Sequence, residues 1–169
     1  MTNTPTPAHV VEATTDTPVN LTHSPGAAEL AAAYSSHLVE VFGAPIHVHS
    51  RAQLLADGEL VDATSTAAEA GFTTGLALTR AVWVDCVEWT DADTRRQTVQ
   101  DEAGRLWDVL WMCLLAARAA KARSEFLFTL HRVPRGGRGR RPRLVQLKAC
   151  IGPGDAGEPV VTIMQPHEE

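Results

Sequence analysis

Lysine is nearly missing from this chain. Lys121 and Lys148 are the only lysines among fifteen basic residues, and the rest are arginine. With the alanine-rich composition, that bias points to a GC-rich bacterial genome. Cysteine is sparse as well: Cys86, Cys113 and Cys150 lie far apart, each among apolar neighbours, with no C-x-x-C pair. That spacing excludes a disulfide framework and leaves buried, reduced thiols as the expectation. No Lys or Arg precedes Arg51, so the basic region that a signal or transit peptide needs is lacking. The longest wholly apolar run, Val109 to Ala117, is too short to span a bilayer. The expectation is a soluble cytoplasmic protein with no membrane partner. G-x-S-x-G, Walker, G-x-G-x-x-G and H-E-x-x-H motifs are all missing, and no Ser, Cys or His is paired by spacing. Catalysis therefore finds no support in motifs, and no cofactor is expected.

The 169 residues are 44% apolar, enough for one domain with a core. The net charge of −5 hides an asymmetry. Six arginines, Arg132, Arg135, Arg138, Arg140, Arg141 and Arg143, crowd into one stretch, which leaves −11 on the remainder. The pattern is an acidic body with one basic patch.

Residues 1–24 are rich in Thr and Pro and read as a flexible tail, with a single domain over residues 25–166. Ser24-Pro25 opens a helix that buries Leu30, Tyr34, Leu38 and Val41 and ends at Gly43. His47 and His49 share one face of a short extended piece; with no third ligand nearby, solvent-facing alternation explains them better than metal. Ser50 and Gln53 stand in the capping-box relation and start a short helix. Leu60-Val61 is a brief extended piece, and Thr66 with Glu69 repeats the box for a second helix closed by Gly71. Thr79 caps a helix from Arg80 to about Trp89, with a strand as the rival because Val82-Trp83-Val84 is β-prone. Thr90 to Gln100 reads as a loop.

The dominant element is the stretch Asp101 to Arg123, acidic at its start and basic at its end as a helix prefers. Leu106, Trp107, Leu110, Trp111, Leu114 and Ala117 recur at spacings of three and four and form one apolar face. Its second half is apolar all round, which predicts that other elements wrap it. Beyond it, three period-two runs end the chain: SEFLFTLHRV, RLVQLKACI and PVVTIM. They predict an antiparallel meander and an α+β fold, in which several short helices and one long buried helix pack on three strands.

Two groups of residues carry candidate chemistry. The segment VPRGGRGRRPR joins the first two of those strands, and its Arg135, Arg138, Arg140 and Arg141 suit phosphate forks on a glycine-flexible loop. It lacks the interleaved aromatics that single-strand binders commonly have. Contact with nucleic acid and contact with an acidic protein surface both fit, and so does a plain solubilising tip. Arg105, Trp107, Asp108 and Trp111 form a candidate pocket rim, with an i,i+3 ion pair over the core as the preferred reading. The run Gly152 to Pro159 is a turn, since a strand rather than a helix follows it.

The segments HSRAQLLADGELVDAT, EAGF, LTRAVWVDCVEW, DEAGRLWDVLWM and LKACIGPGDAGEPVVTIMQP together resemble a bacterial domain family of unknown function. The family occurs in small accessory proteins of plasmids, phages and integrated elements, and the likeness spans about residues 46–166. It carries over no catalytic or binding residue. What it implies is a setting: a mobile-element protein whose partner is a host or element-encoded protein. Interference with a host defence system such as a CRISPR effector is one such job, the acidic body occupying a basic channel.

Overall fold

The computed structural model describes His37, Glu40 and residues 49–168 other than Ala122. The chain divides into two compact units, Met1–His47 and Val48–Glu169, and the fold below is that of the second. The expected helix from Ser24 lies outside the described residues except at His37 and Glu40, both helical, and His47 lies outside them too.

Ser50 and Gln53 cap α1 (Arg51–Ala56) reciprocally, as their spacing predicts. Strand β1 (Leu60–Asp62) follows. Helix α2 (Thr64–Ala70) starts two residues before the expected Thr66, because the Asp62 carboxylate accepts from the Thr64 N–H and hydroxyl and turns the chain earlier. Gly71 closes it at φ 109°, a left-handed conformation that suits glycine. Strand β2 (Gly75–Thr79) comes next. Thr79 caps α3, one helical turn at Arg80–Val82 that widens into a π-turn over Trp83–Val87. The segment expected to be a loop contains α4 (Asp91–Arg96), capped by Thr90 and Asp93. Helix α5 (Glu102–Ala120) takes Asp101 as its N-cap and leads into β3 (Glu125–Arg132), β4 (Arg143–Pro153) and β5 (Pro159–Met164).

The last three strands do pair antiparallel, but they are part of a larger sheet. Five strands run in the order β1-β2-β5-β4-β3, with β2 parallel to β5, so a mixed sheet replaces the expected three-stranded meander. Strand β2 lies inside the sheet, between β1 and β5, with Leu76, Ala77 and Leu78 all fully buried. A strand covered on both faces has no alternation for sequence reading to detect.

One face of the sheet meets α5. Leu110, Val109 and Cys113 pack with Leu76, Leu78, Phe128, Leu147 and Ile163 in one buried cluster. Each buried large side chain there stabilises the fold by about 1.5–3 kcal/mol. The other face receives α1, where Arg51 Nη1 donates to Thr162 Oγ1 at 3.0 Å. Asp155 locks that helix in place by accepting from the Arg51 and Ala52 N–H groups at 2.7 and 2.8 Å.

The face α5 buries is the expected one only in part: Leu106, Leu110 and Leu114 are buried as expected, whereas Trp107 and Trp111 are not. Arg105, Leu106, Val109, Leu110, Cys113 and Leu114 point inward, while Trp107 (39% exposed), Trp111 (42%) and Leu115 (42%) form an outer stripe. At 100° per residue the inner row lies roughly opposite that stripe, so the tryptophans follow the same spacing on the solvent side. The second half of the helix is not wrapped all round.

Candidate functional site

The β3–β4 connection is held to the body by an array of polar groups. At its start, both oxygens of the Asp85 carboxylate accept from Arg132 Nη2, at 2.7 and 2.8 Å. Three residues on in the sequence, Arg135 pairs with Glu88 at 2.8 Å and with Asp93 at 3.4 Å. The π-turn of α3 is what lets Asp85 and Glu88 reach neighbouring arginines of one loop; its extra residue closes in the bond from Glu88 N–H to Trp83 O at 2.8 Å. Gln97, 3% exposed, donates through Nε2 to the carbonyls of Pro134 and Gly139, so the two flanks of the loop share one clamp. Gly136 adopts φ +81° at the turn, a conformation that other residues adopt only with strain.

Asp93 is the electrostatic centre of this base. It is 1% exposed, and its carboxyl is held at about 2. The Thr90 hydroxyl hydrogen bond lowers it most; burial opposes, and the Thr90 backbone, the Arg135 charge and the Gly136 N–H lower it further.

Arg105 braces the array from beneath. The residue is 5% exposed, and its guanidinium donates to Val87 O at 3.0 Å, Val133 O at 3.2 Å and Asp85 O at 3.4 Å, and also to Gln100. It lies 4.6 Å over the Trp89 ring. Burial pushes its pKa down, partly offset by the nearby Asp85 charge. A planar fork is the one cation that serves these diverging acceptors together.

Above the pinned base stand Arg138, Arg140, Arg141 and Arg143. All four are exposed and, among the described residues, none of their side chains has an ion pair or hydrogen-bond partner. They line a concavity of about 600 Å³ together with Pro134, Arg135, Gly137 and Gly139. Three of the four sequence candidates, Arg138, Arg140 and Arg141, are thus available to a ligand, whereas Arg135 is engaged internally. Arg143 joins the set at the start of β4; its place in an alternating strand concealed it.

The candidate rim on α5 does not assemble. Arg105 points into the core network, while Trp107, Asp108 and Trp111 face outward, and no Arg105–Asp108 pair forms. The two indoles stack on each other, with centroids 6.4 Å apart and planes 9° off parallel. The thiols of Cys86 and Cys113 are buried and pushed up to about 12, chiefly by that burial, far from the thiolate a nucleophile needs. Among the described residues no three His, Cys, Asp or Glu side chains cluster as a metal site, and no helix is long and apolar enough to cross a membrane.

A model of a family of unknown function, DUF6573, matches residues 39–169. No curated protein and no solved structure matches.

Proposed function

Since the chain belongs to DUF6573, a family of unknown function, we propose that it is a non-enzymatic accessory module of a mobile genetic element, the setting that its sequence resemblance implies, and that it acts through the geometry of one loop. Its arginine hairpin contacts the phosphate backbone of nucleic acid. The observation that carries this reading is the contrast within one loop: Arg132 and Arg135 are neutralised by Asp85, Glu88 and Asp93, while four further arginines stand unpaired around a concavity. A loop built only for solubility would not need a buried glutamine and two ion-paired arginines to fix its base. Pre-ordering lowers the entropy cost of binding, and unpaired guanidinium forks fit phosphate oxygens. With no aromatic side chain beside them, they follow the backbone rather than stack on bases.

Fluorescence anisotropy with a labelled duplex at low salt tests this. Replacing Arg138, Arg140 and Arg141 together by alanine should weaken binding by about tenfold or more in a protein that remains folded, leaving only the residual contact of Arg143. Tight binding that survives the change would sink the reading.

A second reading draws on the acidic body: Asp57, Glu59, Asp62 and Glu69 are all exposed along the α1–β1–α2 segment. Such a surface suits the basic channel of a host protein, including a defence nuclease. Pull-down with and without nuclease treatment separates the two readings, because a protein partner engaged by the acidic side survives nuclease.

A further inference from the structure

Strand β3 is the outer strand of the sheet and, among the described residues, has β4 as its one neighbour. The phase of that ladder follows from one bond, Ile151 N–H to Ser124 O at 2.7 Å. Even-numbered residues of β3 exchange hydrogen bonds with β4, so the N–H and C=O groups of Glu125, Leu127, Thr129 and His131 point outward. An edge of eight residues is long; it holds no proline, no lysine and no bulge in its register, and its charged residues, Glu125 and Arg132, stand at its two ends. Such an edge is a template for another strand. The side chains of the same four residues stand on the sheet face away from α5, Leu127 with 53% exposure.

On the opposite face, beside the same edge, α5 carries the exposed stripe Trp107, Trp111 and Leu115. Two shallow concavities of about 500 and 370 Å³ follow the α5–β3 seam, one under Ala119 and Ala120 and one beside Asp108 and Trp111. Backbone edge and aromatic stripe therefore form one surface, with the anchors that protein interfaces favour.

We propose that this surface binds a second copy of the chain. Two β3 strands pair antiparallel about a two-fold axis and make one continuous sheet, with the two α5 stripes packed beside each other. The edge is complementary to itself: pairing centred on Phe128 sets Glu125 opposite His131 and Leu127 opposite Thr129, each twice, so carboxylates meet imidazole N–H groups and no like charges face. Helix α5 repeats the antisymmetry. Asp101 and Asp108 lie towards its start and Arg118 and Lys121 at its end, so two antiparallel copies bring opposite signs together.

Sedimentation velocity of the full chain tests the proposal, with an expected mass twice the 18.2 kDa of one chain. Thr129→Pro removes one outward donor and leaves the β4 ladder intact; Leu127→Lys places cations at the edge. Each should weaken self-association by about tenfold or more, with far-UV circular dichroism unchanged. If Thr129→Pro fails to fold, Leu127→Lys carries the test. Glu125→Lys should also weaken the dimer, and adding His131→Glu should restore it. A folded wild-type chain that stays monomeric through the micromolar range overturns the proposal, and so does a dimer that Leu127→Lys leaves untouched.

Discussion

Asp93→Asn should destabilise the fold by about 2–3 kcal/mol at neutral pH. The substitution keeps the shape of the side chain and removes the charge on which Thr90, Arg135 and Arg96 converge. The magnitude follows from the carboxyl being held at about 2, against about 3.9 for an unperturbed Asp, at about 1.4 kcal/mol per unit. Because the folded-state value lies below the unfolded one, this stability is present in full above about pH 4 and is lost as the pH falls towards about 2. Urea unfolding followed by tryptophan fluorescence gives the difference directly, since Trp89 sits beside this network. The gap between wild type and variant should be full at neutral pH and close near pH 2, with a drop of roughly 10 °C in Tm at neutral pH. A gap below about 0.5 kcal/mol at neutral pH, or one that persists undiminished at pH 2, would refute the account of the pinned base.

Three further outcomes follow from the same geometry. Arg105→Lys should cost about 3–5 kcal/mol in urea unfolding, because an ammonium cannot serve the carbonyls of Asp85, Val87 and Val133 at once and leaves buried acceptors unpaired. Gln97→Ala should cost about 1–3 kcal/mol by leaving the Pro134 and Gly139 carbonyls without their donor, and limited trypsin digestion should cut the freed arginine loop faster than in wild type. Lys121→Gly should stabilise the fold by about 0.5–1 kcal/mol, since Lys121 ends α5 at φ 47°, where glycine pays no steric penalty; a fall in Tm would contradict this.

The parts of the fold that sequence reading recovers are those in which a local signal and the tertiary context agree. Ser50 and Gln53 cap α1, Thr79 caps α3, the acidic Asp101-Glu102 pair marks the start of α5, and the alternation of Phe126, Phe128 and Leu130 marks the buried face of β3. What it misses lacks a local signal or carries an ambiguous one. Strand β2 is three buried residues behind a glycine, with parallel pairing to β5 supplied by the far end of the chain. Helix α4 has no apolar periodicity, and its box uses Asp93 where Glu or Gln is usual. The tryptophans of α5 obey helical spacing on the wrong side, because spacing fixes membership of a face and not which face is buried. At the candidate site the arginine cluster is plain in the sequence. Its division into anchored and free members is not, since it depends on Asp85, Glu88 and Asp93 arriving from distant elements.

The measurement that bears most directly on the proposed function is the salt dependence of wild-type binding to a labelled duplex. Four unpaired arginines, each displacing one counterion, predict a slope of log K against log salt near −3.6, or about a 150-fold loss of affinity between 50 and 200 mM. The Arg138→Ala, Arg140→Ala, Arg141→Ala variant, with Arg143 left, should bring the slope close to −0.9. A wild-type slope near zero, or one that the triple substitution leaves unchanged, would contradict the phosphate-binding hairpin.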